Sequence, residues 1–153
     1  MTSGVAIERL GPERIEVMRQ ALRVLADAFD EQENFFSAPP GDPYLSRLLS
    51  DEKFILLAAS VEGSVVGALS AYELTKYEQE RSELYIYDLA VAEPFRRRGI
   101  ARAMIEALKP IAREKGAWMI FVQADRVDEP AVALYRSLGT EEQPLHFDIS
   151  PEE

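Results

Sequence analysis

The sequence predicts a mixed β-sheet with helices on its faces, an α/β arrangement that combines antiparallel hairpins with one β-α-β unit. Three observations predict it. A run of apolar segments separated by tight turns occupies the middle of the chain, and amphipathic helical patterns follow it. The third observation is size: 153 residues, 47% of them hydrophobic, suffice for one domain with a buried core, and no linker divides the chain. We therefore expect a single domain over residues 1–153.

The first third of the chain reads as one strand and two helices. Residues 5–10 form a short apolar segment, and Gly11-Pro12 then opens a helix with the proline in its first turn. Its buried face carries apolar side chains at helical spacing: Ile15, Met18, Leu22, Leu25 and Phe29. Residues 30–41 are expected to form a loop, and Asp42-Pro43 begins a second helix.

Three strands follow. Residues 54–61 and 65–74 flank the turn Glu62-Gly63-Ser64, which predicts a hairpin. A polar connector leads to the third strand, residues 83–91. In a flat strand Glu83, Tyr85 and Tyr87 share one face and Asp88 the other, although a bulge near residue 88 would overturn that parity.

The remainder alternates helix and strand. A helix begins near Gly99 and ends at Lys115-Gly116, where a basic last turn precedes a glycine cap. Residues 117–124 form a strand, with Trp118 expected in the core. Pro130 opens a last helix that Gly139 stops, and residues 146–150 form a final strand.

Composition excludes several classes of protein. The absence of cysteine rules out disulfides, zinc-thiolate sites and thiol nucleophiles, and no metal site is predicted. No apolar run reaches the ~20 residues that span a bilayer, and residues 1–10 do not resemble a signal peptide. A cytoplasmic protein without membrane or nucleic-acid partners is expected. The net charge of −10 disfavours nucleic acid and favours cations, although solubility alone can explain it.

The strongest local signal is a basic turn between a strand and a helix. Cations are unfavourable at a helix N-terminus, whose free N–H groups and dipole attract anions, so the three arginines there indicate a bound anion. Glycine lets the backbone approach that ligand, and the pattern lacks the lysine of a P-loop. The residues of the basic turn are Arg96, Arg97, Arg98, Gly99, Ile100 and Ala101.

These residues carry a resemblance to a known family. Residues 88–101 resemble the acetyl-CoA signature of the GNAT superfamily, and residues 128–139 resemble its later Asn-x-x-Ala-x-x-Leu-Tyr motif, with Asp128 in place of the asparagine. The resemblance implies a splayed GNAT sheet with the pyrophosphate of coenzyme A at the basic turn. It places pantetheine against the backbone of Leu89, Ala90 and Val91, with an N–H of Leu89 or its neighbour on the thioester carbonyl.

Three further segments are similar to aminoglycoside 3-N-acetyltransferases of the gentamicin-modifying type: residues 76–91, 122–125 and 146–149. This likeness implies acetylation of the 3-amino group of a cationic aminoglycoside, antibiotic resistance as the outcome, and a homodimer. Two alternatives stay open. The acceptor is another amine, such as a polyamine or a protein amine, or the chain is a non-catalytic acyl-CoA sensor.

The resemblance also assigns roles to side chains. Tyr135 matches the tyrosine that protonates the leaving thiolate, and a phenol is protonated at neutral pH. Asp88, or else Glu83, is the base or amine ligand, directly or through water. A cationic acceptor needs carboxylates as hydrogen-bond acceptors. Tyrosine side chains would add apolar contact surface and hydroxyl groups. The expected substrate-binding residues are Glu83, Tyr85, Tyr87, Asp88, Asp125, Asp128, Glu129 and Asp148. His146, the one histidine, is expected to be structural.

Overall fold

A computed structural model of the protein describes residues 4–152. The chain forms two compact units: one ends at Gln123 and the other begins at Ala124. The prediction that residues 1–153 form a single domain stays a prediction. No helix within residues 4–152 is both long and apolar enough to cross a membrane.

The first unit is a five-stranded sheet with four α-helices. Its strands lie in the order β1-β2-β3-β4-β5, antiparallel throughout except for the parallel pair β4–β5. The predicted mixed sheet is therefore confirmed. The elements are β1 (Val5–Arg9), α1 (Ile15–Phe29), α2 (Gln32–Phe36), α3 (Asp42–Ser50), β2 (Phe54–Val61), β3 (Ser64–Thr75), β4 (Ser82–Val91), a 3-10 turn (Glu93–Phe95), α4 (Ile100–Glu114) and β5 (Ala117–Val122).

Each face of the sheet packs against different helices. On one face, Leu25 of α1 and Leu45 of α3 join Leu56 of β2 in a buried cluster. The opposite face belongs to α4: the Met104 side chain lies so close to Gly67 of β3 that an added Cβ would stand 3.0 Å from it. We call the first of these the α1/α3 face. Alternation along each strand decides which side chains lie on it.

The α1/α3 face is where the sheet carries its aromatic residues. Directly opposed residues on neighbouring strands share a face, so the register aligns Phe54 of β2, Tyr72 of β3, Tyr85 of β4 and Phe121 of β5 in one row. The row crosses four strands and runs on the same face as the buried cluster.

The hairpin between β2 and β3 follows from its two-residue turn. Glu62 and Gly63 both adopt positive φ, at 49° and 81°. Two successive left-handed residues form the turn whose twist matches that of the flanking strands. The predicted hairpin is confirmed, with β3 beginning at Ser64.

Two helix predictions need correction in the N-terminal third. The first helix begins at Ile15 and not at Pro12, because the Arg14 N–H donates to the Gly11 carbonyl at 3.0 Å in a preceding turn. The predicted loop at 30–41 contains the short helix α2. It begins where Asp30, at φ 53°, ends α1 in a left-handed turn.

The second unit contains one helix, α5 (Glu129–Leu138), as predicted. The strand predicted at residues 146–150 is wrong: from residue 140 to residue 152 the chain has no helix or strand. A strand needs a neighbour for its backbone N–H and C=O groups, and alternation alone does not supply one. The apolar side chains that suggested it are exposed: Leu145 by 80%, Phe147 by 75% and Ile149 by 87%.

The expectation of a core Trp118 is also wrong. Its side chain is 48% exposed on β5, the strand at the edge of the sheet. The Arg81 guanidinium carbon lies 4.1 Å from the centre of its ring, which is a cation–π contact. An edge strand has one neighbour, so a large ring there is covered only in part.

Candidate functional site

Strands β4 and β5 run side by side and then separate. Their parallel register extends only from Ser82↔Ala117 to Ile86↔Val122, whereas β4 stays paired with β3 up to Val91. From residue 87 onward, no strand among residues 4–152 pairs with the outer edge of β4. The first unit therefore has a sheet edge that opens in the middle of a strand, where an extended ligand can add its own hydrogen bonds.

Successive backbone N–H groups along β4 point to opposite sides of the strand, which shows which of them point to this open edge. The N–H of Asp88 donates to the Ser70 hydroxyl of β3 at 3.2 Å, and the N–H of Ala92 donates to Val66 on the same side at 2.7 Å. Residues between them alternate, so the N–H groups of Leu89 and Val91 point away from β3. An extended pantetheine arm and a thioester carbonyl would find donors there.

The basic turn links β4 to α4 through two left-handed residues. Arg97 has φ 64° and Gly99 has φ 79°. Gly99 is the N-cap residue of α4 and supplies no side-chain cap, and the first turn holds no acidic residue. The first N–H groups of α4 are therefore left for a ligand, and they fit the pyrophosphate of coenzyme A by their chemistry.

The three arginines of the turn have different surroundings. Arg96 donates from Nε to the Val91 carbonyl at 2.8 Å and so ties the turn to the end of β4. The Arg98 guanidinium carbon lies 5.1 Å from the centre of the Phe95 ring. Arg97 occupies a backbone conformation that costs a non-glycine residue about 1 kcal/mol or more. Arg96 therefore fixes the shape of the turn, and the side chains of Arg97 and Arg98 are exposed.

A bulge in β4 decides where Asp88 lies. Ser70 pairs with Asp88 but the next residue of β3, Ala71, pairs with Ile86, so Tyr87 is the extra residue. Because β3 is regular there, Asp88 opposes Ser70 and shares its face with Tyr72. The bulge thus moves Asp88 onto the α1/α3 face beside Tyr85, against the parity of a flat strand and as the alternative prediction allowed.

The carboxylate of Asp88 is half-buried and has no donor. Within residues 4–152 no hydrogen bond or ion pair to its oxygens is formed. Burial raises the pKa of Asp88 above its ordinary value, and the nearby negative charge of Glu31 raises it further. A carboxyl group without an internal partner at an open sheet edge is placed to bind a cation or to accept a proton.

A cluster of three tyrosine rings lies on the face of the sheet that Asp88 occupies. The ring of Tyr87 stands edge-on to those of Tyr72 and Tyr85, with centroids 5.9 and 5.8 Å apart, and Tyr85 stacks on Phe121 at 4.7 Å. Burial raises the pKa of Tyr72 and Tyr85, and the Asp88 charge adds to both shifts. We call Tyr72, Tyr85 and Tyr87 the tyrosine wall. Tyr87 is 61% and Tyr72 39% exposed, so the wall faces solvent.

Glu83 lies on the same face but is already paired with a lysine. Lys76 Nζ lies 3.4 Å from its carboxylate and 3.4 Å from that of Glu78. A carboxylate held by a lysine has less to offer an incoming ammonium group than an unpaired one. Of the two predicted bases, the surroundings favour Asp88.

The second unit carries the other predicted residues. Asp128 caps α5, accepting the Ala131 N–H at 3.3 Å, which is the bond that the usual asparagine could also accept. Burial raises the pKa of Tyr135 to about 12, and the Asp128 charge adds to the shift. Tyr135 is therefore a phenol that stays protonated far above neutral pH.

The remaining carboxylates of the second unit are exposed. Asp125 accepts the Asp128 N–H through its backbone carbonyl, and Glu129 stands in the first turn of α5. Asp148 lies 2.9 Å from His146 Nε2, and both side chains are largely in solvent. Whether these three residues bind substrate stays a prediction.

Three residues with a bearing on this site were not predicted from the sequence: Glu31, Tyr44 and Tyr72. Glu31 lies in a segment predicted as loop, and Tyr44 is 57% exposed in α3. Their charges contribute to the pKa shifts of Asp88 and Tyr72 respectively. Only Tyr72 could have been predicted, because the register of the hairpin formed by β3 and β4 pairs it with Tyr85.

Comparison with known proteins agrees with this architecture. A model of the Acetyltransferase (GNAT) family matches residues 20–140. The structure is similar to that of an aminoglycoside acetyltransferase from an uncultured soil metagenomic sample, with 50% identity and TM-score 0.93, over 95% of this chain and 97% of the other. A second metagenomic aminoglycoside acetyltransferase, in complex with sisomicin, is 35% identical with TM-score 0.90, over 97% of each chain.

A curated relative matches over a shorter stretch. Streptothricin acetyltransferase from Streptomyces lavendulae is 32% identical over 73 residues, which is 48% of this chain and 39% of that protein. The match thus spans less than half of that relative's length.

Enzymes of the GNAT family take the acetyl group that they transfer from acetyl-CoA. With a family model covering most of its length, the chain belongs to the Acetyltransferase (GNAT) family and is an acetyl-CoA-dependent acetyltransferase.

Proposed function

We propose that this enzyme acetylates an amine of an aminoglycoside, specifically the 3-amino group of the deoxystreptamine ring in gentamicin-type antibiotics, and so confers resistance to them. One observation carries the proposal: Asp88, half-buried and with no hydrogen-bond donor to its carboxylate among residues 4–152, lies beside the tyrosine wall where β4 opens. A polycationic acceptor supplies the missing charge. The choice of the 3-amino group rests on the likeness of residues 76–91, 122–125 and 146–149 to that enzyme type.

The donor would be held by the open edge and the basic turn. Arg97, Arg98 and the first N–H groups of α4 would bind the pyrophosphate, and Arg96 would keep the turn in place. Acetyl-CoA, when bound, supplies the acetyl group as a thioester. The Leu89 N–H, which points to the open edge, would donate to the thioester carbonyl and stabilise the oxyanion that develops there.

The acceptor chemistry would start at Asp88. Its carboxylate takes a proton from the reactive ammonium group, directly or through water, and the freed amine attacks the carbonyl carbon. A C–N bond forms and the C–S bond breaks. Tyr135 would give its proton to the departing sulfur, a role for which its raised pKa keeps it protonated. The attacking nitrogen would lose its second proton to solvent as the amide forms, and Tyr135 would regain a proton from solvent.

The binding of substrate by Glu83, Asp125, Asp128, Glu129 and Asp148 remains part of the proposal. So do a homodimer and a cytoplasmic location. Tyr85 and Tyr87 would form the apolar side of the acceptor site.

The test is release of free CoA from acetyl-CoA by the purified enzyme with a panel of amines. We expect turnover with gentamicin and sisomicin above that with kanamycin and amikacin, and a mass increase of one acetyl group that NMR assigns to the 3-amino nitrogen. Expression in a susceptible bacterium should raise the inhibitory concentration of gentamicin. Turnover with spermidine or a peptide amine but with no aminoglycoside would overturn the proposal.

A further inference from the structure

A buried serine lies opposite Asp88 in the middle of the sheet. Ser70 of β3 is 8% exposed and belongs to a buried run, residues 66–71, in which the other side chains are apolar or glycine. The register pairs Ser70 with Asp88, so both side chains lie on the α1/α3 face. Burying a hydroxyl group is unfavourable unless it forms a hydrogen bond, so this serine serves a purpose that an alanine would not.

The partner of this hydroxyl is the backbone of Asp88. The Ser70 oxygen accepts the Asp88 N–H at 3.2 Å, a bond between residues 18 positions apart in sequence. The bond acts on the main chain of β4 and not on the carboxylate. What it fixes is therefore the place of Asp88 along the strand, and the carboxylate stays available to a ligand.

This hydrogen bond is located where the register of β3 and β4 changes. Ser70 pairs with Asp88 and Ala71 pairs with Ile86, which leaves Tyr87 as the extra residue. A bulge leaves its extra residue unpaired, so neighbouring residues can compete for that place unless a local interaction favours one of them. A hydroxyl on the opposing strand that binds the N–H next to the extra residue supplies such an interaction.

The location of the bulge decides which side chain occupies the α1/α3 face. If Asp88 were the extra residue, Tyr87 would oppose Ser70 and take the place of the carboxylate. Leu89 would still pair with Leu69, so the part of β4 beyond the bulge would keep its position. The backbone N–H groups of the open edge lie in that part. A change at Ser70 should therefore affect the carboxylate and spare the edge where the donor would bind.

We propose that Ser70 is a positioning residue for the acetyl transfer. Its buried hydroxyl binds the Asp88 N–H, holds the bulge at Tyr87 and so keeps the carboxylate on the face where the acceptor amine would bind. In this role Ser70 touches neither substrate and carries no proton. The inference rests on the proposed function, in which Asp88 is the base, and adds the residue that sets the position of that base.

A second buried serine provides a matched control. Ser82, at the start of β4, is 3% exposed, and its hydroxyl has no hydrogen-bond partner among residues 4–152. Ser70→Ala and Ser82→Ala each remove one hydroxyl from a buried position of the same sheet, and only the first of them breaks a hydrogen bond to Asp88. Ser70→Thr keeps the hydroxyl and is the conservative variant.

Steady-state kinetics with both substrates varied separates positioning from binding. With sisomicin as acceptor, Ser70→Ala should lower kcat about tenfold, the effect of losing one hydrogen bond at the base. The KM for acetyl-CoA should stay that of the wild type. Ser70→Thr should recover most of the lost kcat, and Ser82→Ala should change neither constant.

Hydrogen exchange of the Asp88 amide, followed by NMR, tests the bond without any reaction. This N–H should exchange slowly in the wild type and in Ser82→Ala, and about tenfold faster in Ser70→Ala. The Ala92 amide, whose partner is the Val66 carbonyl, should keep its rate in all variants. If Ser70→Ala does not fold, Ser70→Cys replaces it with the same expectations, because sulfur is only a weak acceptor.

The outcomes are distinct. If the wild type acetylates aminoglycosides and Ser70→Ala keeps the kcat of Ser82→Ala, the inference is overturned and the proposed function stands. An equal loss of kcat in Ser70→Thr would assign the effect to packing and would also overturn it. Equal exchange of the Asp88 amide in Ser70→Ala and Ser82→Ala would contradict it whatever the acceptor.

Failure of the proposed function would be visible separately. If spermidine is acetylated and no aminoglycoside is, the proposed function fails. A lower kcat with spermidine in Ser70→Ala, recovered in Ser70→Thr, would then still support the positioning role. An unchanged kcat with spermidine would overturn both.

Discussion

The proposed donor side and the proposed acceptor side of this enzyme are built in opposite ways. The basic turn is contiguous, since Arg96 to Ala101 follow one another, and it would bind its ligand with backbone N–H groups at the start of α4. The proposed acceptor face is assembled from side chains on β3 and β4, two strands that meet through their register. The first uses the backbone, which any sequence with the right turn supplies. The second uses side chains, whose meeting depends on register and packing.

This difference suggests why one family can share a donor and differ in acceptors. A turn with left-handed residues at 97 and 99 constrains few side chains. The acceptor face instead depends on single side chains at distant positions, so single substitutions there change what binds. Substitutions on the two sides should therefore separate in kinetics.

The largest effect is expected for Asp88→Asn, which should lower kcat by about 100-fold or more, the contribution typical of a positioned general base. The KM for acetyl-CoA should not change, because the open edge uses backbone groups. Steady-state kinetics with both substrates varied measures this. A variant with near wild-type kcat would make Asp88 a structural residue of the bulge.

The melting temperature of Asp88→Asn checks that this variant folds, because the direction of its change can be predicted. Burial raises the pKa of Asp88 in the folded state, so its ionised form costs stability above that pKa, and the cost disappears as pH falls through it. Asparagine removes the charge, and Asp88→Asn should melt at the wild-type temperature or above. Glu106→Gln on the exposed side of α4 is the matched control and should leave kcat unchanged.

Tyr135→Phe should have the next largest effect, a fall in kcat of roughly 10- to 100-fold if the phenol protonates the leaving sulfur. Because its pKa is about 12, the wild-type phenol remains protonated well above neutral pH. The pH profile of kcat should accordingly show no falling limb from this group between pH 7 and 10. A descending limb near pH 8 that disappears in Tyr135→Phe would contradict the raised pKa, and a wild-type kcat in Tyr135→Phe would contradict the role as general acid.

The smallest of the three effects is expected at the donor side. Arg98→Ala should raise the KM for acetyl-CoA about fivefold to tenfold, since it removes one charge-assisted contact while the helix N–H groups remain. The acceptor KM should stay constant. Arg113→Ala, at the opposite end of α4, is the control, and equal effects of the two would show that only overall charge matters.

Much of the fold could be predicted from local signals. The hairpin followed from Glu62-Gly63 and the basic turn from three arginines before a helix, because each depends on residues that are neighbours in sequence. The strand expected at 146–150 and the buried Trp118 were wrong for a common reason. Alternation of apolar residues shows that a segment can form a strand, and hydrophobicity shows that a side chain can be buried. Whether a neighbouring strand or a covering element is present depends on the rest of the chain.

The candidate site divides along the same line. The sequence named Asp88, Tyr85 and Tyr87, but the faces they occupy were undecided until the bulge at Tyr87 was seen. A one-residue insertion in a strand reverses every side chain after it, and nothing in the local pattern shows where a bulge falls. No pattern in the sequence indicated Glu31, because its segment has neither periodicity nor a motif.

The sequence by itself determined the mixed sheet, the basic turn and the types of side chain available for the chemistry. These rest on short-range preferences: φ values, helix ends and apolar periodicity. The tertiary structure decided that β4 opens at residue 87 and that Asp88 turns to the α1/α3 face. Electrostatic and packing interactions depend on distance in space, and it is folding that sets those distances.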